Sequence, residues 1–210
     1  MNMRVLVACE FSNTVRDAFL RRGHDAYSCD IQRADFPNPN WRRHLKCDVR
    51  PLLRERWDLV IAHPPCTYLS VASNCQLKKN APLEEQSRKV GILNGAMFFL
   101  MCLDANSDKI CVENPLPNKF GKMLLPRYTQ VVHPWEYGHP VTKRTCLWLK
   151  GLPLLIPTYT VEPTHRLVSK SYVKQKGLKP TLPDVKSNAN DRSRTFKGIA
   201  DAMVDQWGNL

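Results

Sequence analysis

Two runs in this chain read as buried strands, and each ends at proline beside a side chain able to do chemistry. The first is Leu59-Val60-Ile61-Ala62-His63-Pro64-Pro65-Cys66; the second is Lys109-Ile110-Cys111-Val112-Glu113-Asn114-Pro115. A β-branched apolar run without alternation is the pattern of a strand covered on both faces. Pro64 and Pro65 cannot continue a hydrogen-bond ladder, so the chain is expected to leave the sheet there and present Cys66 with restricted backbone freedom. Pro115 is expected to break the sheet in the same way behind Glu113. In open α/β sheets the carboxyl ends of strands line the ligand crevice.

A thiol and a carboxylate placed together suit substitution at carbon 5 of a pyrimidine. That carbon is a weak nucleophile until a thiolate adds to carbon 6 and leaves the ring enamine-like. Only the thiolate is reactive, and an ordinary Cys, with a pKa of about 8.5, is mostly thiol at neutral pH, so the site must activate it. A carboxyl group at the N3/N4 edge of cytosine would neutralise charge built up in the ring. Cys66 and Glu113 are the candidates for these tasks.

Other elements must hold these groups. Residues 4–8 form a short apolar strand. Residues 13–22 carry Val15, Ala18 and Phe19 at helical spacing and stop at Gly23. Residues 25–29 make a second strand, followed by Asp30. This strand–helix–strand order is the first half of a nucleotide-binding α/β unit. A strand end near 46–49 carries Asp48. Residues 82–105 read as a long helix, and its stripe Val90, Leu93, Met97, Leu100, Met101 is expected to face the core. Strands follow at 129–133 and 145–149, and a closing helix at 196–207 has Ile199, Ala200, Met203 and Val204 on one side. Residues 1–151 are expected to form the core, 152–191 a short basic, proline-rich recognition insert without periodicity, and 192–210 a helix returning to the core.

With 210 residues, 43% hydrophobic and 24% charged, the chain is long enough for one well-packed domain. No apolar run approaches the roughly 20 residues needed to span a bilayer. The eight cysteines show no Cys-x-x-Cys pair and no His at ligand spacing, against a zinc site or a disulfide framework and in favour of a reducing, cytoplasmic setting. A net charge of +12 favours a polyanionic partner. Between His165 and Lys197 the cations Arg166, Lys170, Lys174, Lys176, Lys179, Lys186, Arg192 and Arg194 face only Asp184 and Asp191, which points to nucleic acid.

Pro64-Pro65-Cys66 and Glu113-Asn114-Pro115, in this order of elements, resemble the DNA cytosine-5 methyltransferases, more narrowly their short phage and prophage members. The stretches Tyr137-Gly138 … Thr142-Lys143-Arg144-Thr145-Cys146-Leu147-Trp148-Leu149 and Gly198-Ile199-Ala200-Asp201-Ala202-Met203 … Gln206-Trp207-Gly208 extend the likeness over nearly the whole chain. The resemblance implies a class I S-adenosylmethionine-dependent, Rossmann-like α/β fold, a mixed sheet with helices on both faces, and methyl transfer from S-adenosyl-L-methionine to a cytosine swung out of DNA. It makes Cys66 the nucleophile, Glu113 the grip on the base edge, and Arg144 the basic group that orients them. It places the cofactor on Ala8, Glu10, Phe11 and Ser12, on Asp30 and Ile31, on Asp48 and Val49, and on Pro64. DNA would meet Pro65, Asn114, Pro115, Lys143, Lys170, Lys174, Lys176, Arg192 and Arg194, with no metal and no membrane.

The chain departs from the family in its first loop, where Cys9-Glu10-Phe11-Ser12-Asn13 lacks the usual glycines, and in an insert far shorter than a full recognition domain. Amino-methyltransferases also end a strand with Pro-Pro, but follow it with an aromatic that stacks on the base; Cys66 stands there here. A methyltransferase-like DNA binder without activity, or an enzyme modifying free cytosine nucleotides, are the competing readings. The glycine-poor loop favours the first and the basic tail opposes the second.

Overall fold

The computed structural model describes residues 2–71, 82–169 and 181–210. Cys75, Lys170, Lys174, Lys176 and Lys179 lie outside the described residues. The elements are β1 (Arg4–Ala8), α1 (Thr14–Arg21), β2 (Asp25–Asp30), β3 (His44–Lys46), β4 (Leu59–Ala62), α2 (Pro82–Leu103), β5 (Ile110–Pro115), α3 (Lys119–Leu124), β6 (Gln130–Val132), β7 (Val141–Thr142), β8 (Thr145–Lys150), β9 (His165–Ser169), β10 (Asp184–Ser187), α4 (Ala189–Ser193) and α5 (Lys197–Trp207).

Seven strands form one sheet in the order β3-β2-β1-β4-β5-β8-β6. The run from β3 to β5 is parallel, and β8 lies antiparallel between β5 and β6. The chain winds outward from β1 in both directions, so the order reverses between β1 and β4. The carboxyl ends on either side of such a reversal splay apart into a crevice.

Alternation along the strands divides the interior between two faces. Val5, Val7, Leu59, Ile61, Cys111 and Leu147 pack on one side against α1 and α5. Leu6, Val60, Ala62, Ile110, Val112, Cys146 and Trp148 pack on the other against α2. The expected mixed sheet with helices on both faces is what forms. Ile199, Ala200, Met203 and Val204 of α5 are buried as the sequence predicts. No helix among the described residues is long and apolar enough to cross a membrane.

Four expectations need correction. On α2 the buried row is Ile92, Ala96, Phe99 and Cys102, whereas Val90, Leu93, Met97 and Leu100 are 41–63% exposed; both rows are apolar at helical spacing, so periodicity alone cannot choose between them. Pro115 does not break the sheet: it is the last residue of β5, opposite Thr145 of β8. Pairing with β4 has already ended at Val112, and a strand bonded on one side only tolerates a residue without an N–H. The strand expected at 46–49 lies earlier, as β3, which leaves Asp48 in the following turn. The segment 152–191 is not devoid of regular structure: β9 and β10 join β7 in a small parallel sheet.

Candidate active site

Ile61 of β4 lies beside Cys111 of β5 in parallel register. Side chains on one face recur every second residue, so two positions further on His63 and Glu113 come together. Their side chains are 10% and 11% exposed, and Nδ1 of His63 lies 2.6 Å from Oε2 of Glu113. The Thr195 hydroxyl, just before α5, reaches the same carboxylate at 3.5 Å. Burial pushes the Glu113 carboxyl up, but the hydrogen bond and charge of His63, with Lys143, outweigh it and hold Glu113 below the usual carboxylate range. Burial likewise disfavours a charged His63, yet Glu113 and Glu10 raise its pKa. Each group thus favours the charged form of the other.

Lys143, in the turn between β7 and β8, completes the group. Its Nζ donates to the Arg192 carbonyl at 2.7 Å. Burial lowers the pKa of its ammonium, opposed by the charges of Glu113 and Cys66. The cation thus stands within electrostatic reach of both groups that the sequence singled out. Arg144, expected in this position, is exposed instead, and its charge bears on His133 and Cys146. Arg144 lies just before β8, whose first residue, Thr145, is buried opposite Pro115.

Cys66 is half-buried, on a turn fixed from several sides. Its carbonyl accepts from the N–H groups of Leu69 and Ser70, both at 3.2 Å. The buried amide of Asn114 donates to the Pro64 carbonyl at 2.8 Å. Asn118 donates to the carbonyls of Tyr68 and Ser70 at 3.0 and 3.2 Å. A Cβ at Gly121 would collide with the Leu69 carbonyl, so only glycine lets α3 approach this closely. Burial pushes up the thiols of Cys9 and Cys111, those of Cys29 and Cys102 to about 12, and that of Cys146 to about 11. Those five are inert small hydrophobes.

The loop from β1 to α1 takes its shape without glycine. Cys9 and Asn13 both adopt left-handed backbone, with φ of 59° and 64°, a conformation glycine enters freely and other residues at a cost. Glu10 is buried, and its carboxylate accepts from the N–H groups of Val15 and Arg16 at 2.7 and 3.2 Å and from the Ser12 hydroxyl at 3.2 Å. Helix N-termini usually offer those N–H groups to a phosphate. Here an internal carboxylate occupies them, so Glu10 and Ser12 serve the helix, and a phosphate-bearing cofactor does not fit this turn. Ala8 is buried, its carbonyl taken by the His63 N–H at 2.9 Å.

The remaining cofactor candidates sit at neighbouring strand ends. Asp30 closes β2, half-exposed, with Oδ1 accepting from the Gln32 N–H at 2.8 Å. Ile31 is exposed, Asp48 is held by Arg50, and Val49 is buried. The carboxylates of Asp30 and Asp48 both act on the Cys9 thiol, so they flank the end of β1. Pro64 is buried and Pro65 exposed. Phe11 lies under the Arg194 guanidinium, which is ion-paired to Asp35. Arg192 donates to the Ser187 carbonyl at 2.5 Å. Arg194 thus fastens the C-terminal segment to the core, the Arg192 side chain bonds within that segment, and Lys143 is turned inward.

Sequence reasoning passed over His63 as a partner, Lys143 as the inward cation, and Asn118 and Thr195. The alternation 59, 61, 63 was available for His63; the other three depend on contacts between distant segments.

No family model and no curated protein matches this chain. Among solved structures, a protein described as a DNA modification methyltransferase encoded within an E. coli prophage is similar at 16% identity, with a TM-score of 0.46 over 78% of this chain and 53% of that one. An Entamoeba histolytica methyltransferase shares 15% identity, with a TM-score of 0.43 over 77% of this chain and 58% of that one. The bifunctional kinase-methyltransferase WbdD gives 13%, 0.41, 74% and 36%. The chain spans about half the length of the first of these. Likenesses of this size add nothing to the sheet order already described.

Proposed function

We propose that this chain is a DNA cytosine-5 methyltransferase using S-adenosyl-L-methionine. The observation that carries the reading is the braced Pro-Pro turn that sets Cys66 within electrostatic reach of Lys143, beside the buried His63–Glu113 pair. A thiolate needs a nearby cation, and Lys143 is one. A cytosine under attack at carbon 6 needs its pairing edge held and protonated at N3, and Glu113 offers a carboxylate whose Oε1 has no hydrogen bond among the described residues.

The strand ends fit a methyl donor that has a ribose and no phosphate. Asp30 would accept from the ribose hydroxyls, with exposed Ile31 beside the adenine and Asp48 near its amino group. When bound, that donor supplies the electrophilic carbon. Cys66 adds to carbon 6, Glu113 holds the N3/N4 edge, and the exposed Pro65 closes over the ring. The base must leave the duplex to reach Cys66, at a cost of a few kcal/mol. The net charge of +12 favours DNA over a free nucleotide as the partner. The left-handed Cys9 and Asn13 give the cofactor loop a tight turn without glycine, which weakens the reading as an inactive binder.

Incubation with labelled methyl donor and unmethylated DNA should yield 5-methylcytosine on nucleoside mass spectrometry, and Cys66→Ser should yield none while still binding DNA. Label on the amino nitrogen of cytosine or adenine would overturn the assignment.

A further inference from the structure

Resting on the cytosine-5 reading, we infer that His63 is the proton reservoir for Glu113: a positioning residue that orients the carboxylate through Nδ1 and recharges it with a proton during each turnover. Two geometric facts carry this. The Nδ1···Oε2 contact is short, at 2.6 Å, between side chains almost wholly removed from water. The other ring nitrogen, Nε2, is buried without a hydrogen-bond partner among the described residues. A histidine kept only to orient a carboxylate would be expected to have its second nitrogen satisfied, since buried polar groups nearly always are. With Nε2 unpaired among the described residues, Glu113 is the one group hydrogen-bonded to the ring, so the Nδ1 proton has a single acceptor.

The chemistry requires such a source. Attack of the Cys66 thiolate forms the sulfur–carbon 6 bond and pushes the electrons of the 5,6 double bond toward N3, which must take up a proton as charge develops. Glu113 can deliver it only as the acid, yet its surroundings hold it as the carboxylate. Transfer of the Nδ1 proton to Oε2 makes the acid; the carboxyl group turns that one O–H to N3, which takes the proton, so Glu113 is again a carboxylate and the imidazole is left neutral. After methyl transfer, water removes the carbon 5 proton, the sulfur–carbon bond breaks to restore the double bond, and the N3 proton returns through Glu113 to His63. The net release is one proton to solvent, from carbon 5. The charged groups acting on His63 are Glu113 from β5, Glu10 from the loop after β1, and Lys143 from the turn before β8. The two carboxylates favour the imidazolium that the step needs, and Lys143 opposes it.

His63→Asn separates the two roles. Its amide can still donate to Glu113 from nearly the Nδ1 position but cannot give up a proton. Single-turnover methylation of DNA would be followed from mildly acidic to mildly alkaline pH, with cofactor affinity measured alongside to show that the fold persists; His63→Gln stands in if the first variant does not fold. The wild type should lose rate as pH rises through the His63 pKa. The variant should be slower by about 100-fold at neutral pH, the lower range for removing a general acid–base group, and its profile should shift toward acid, where solvent can protonate Glu113 directly. A variant slower by any factor but with the wild-type pH profile would reduce His63 to packing and overturn the inference alone. A wild type that forms no 5-methylcytosine at any pH would overturn the cytosine-5 reading, and the inference with it.

Discussion

Replacing Asn114 with alanine tests whether the Pro-Pro turn is held as described. Asn114 is 4% exposed, and its amide donates at 2.8 Å to the carbonyl of Pro64, two positions before the thiol. Alanine removes the donor and leaves a buried carbonyl unpaired, at a cost of about 1–3 kcal/mol. For a chain of this length each kcal/mol lowers the melting temperature by about 2–4 °C, so the fall should be roughly 2–12 °C. The greater effect should fall on chemistry, because a displacement of about 1 Å at a reacting group can cost about 100-fold in rate. Asn114→Asp should be worse than alanine, since its carboxylate would face the carbonyl acceptor to acceptor. Calorimetry gives the first quantity, and the rate of maleimide labelling at Cys66, resolved by peptide mass spectrometry, reports the freedom of the turn. If the alanine variant melts with the wild type and labels at the wild-type rate, the amide is not what fixes Cys66.

The correction on α2 predicts opposite outcomes for neighbouring residues. Phe99 is fully buried, edge-on to Trp148 with ring centroids 4.8 Å apart, so Phe99→Ala should cost about 3–5 kcal/mol in chemical unfolding, whereas exposed Met97→Ala should stay within about 0.5 kcal/mol; equal losses would mean the helix face is misassigned. The His63–Glu113 pair predicts the pH dependence of stability. Glu113, with its pKa lowered, contributes stability that is lost as pH falls through its folded value, and His63, with its pKa raised, contributes stability that is lost as pH rises through its own. Unfolding free energy should therefore peak between the two, and His63→Asn should flatten the alkaline side; an unchanged alkaline limb would contradict the charged pair.

The sheet was largely legible because its centre is chemically plain. An unbroken apolar run with a proline stop, as at residues 59–65, admits few readings, and the closing helix had one clear apolar face. Residues Cys66 and Glu113 could be named because each ends such a run. The face of α2 could not, since apolar residues nearly encircle that helix and only contact with β5 and β8 selects Phe99 over Met97. Nor could the choice between Lys143 and Arg144: two adjacent cations in a short turn are chemically alike, and the one turned inward is shown by its bond to the distant Arg192 carbonyl. The short parallel pair β9 and β10 carries no alternation, because neither strand buries a full face. The glycine-free loop differs again. The sequence shows that glycine is missing there, but not that Cys9 and Asn13 adopt the left-handed conformation themselves.

The central claim is that the sulfur of Cys66 bonds to carbon 6 of a cytosine gripped by Glu113. Substituting fluorine at carbon 5 of that cytosine blocks the final loss of the ring proton, so an adduct once formed and methylated cannot resolve. DNA carrying 5-fluorocytosine, incubated with the protein and methyl donor, should yield a denaturation-resistant complex whose cross-linked peptide contains Cys66. Glu113→Gln should suppress its formation. A cross-link mapped to any other cysteine, or turnover of the fluorinated DNA with no trapped species, would contradict the account.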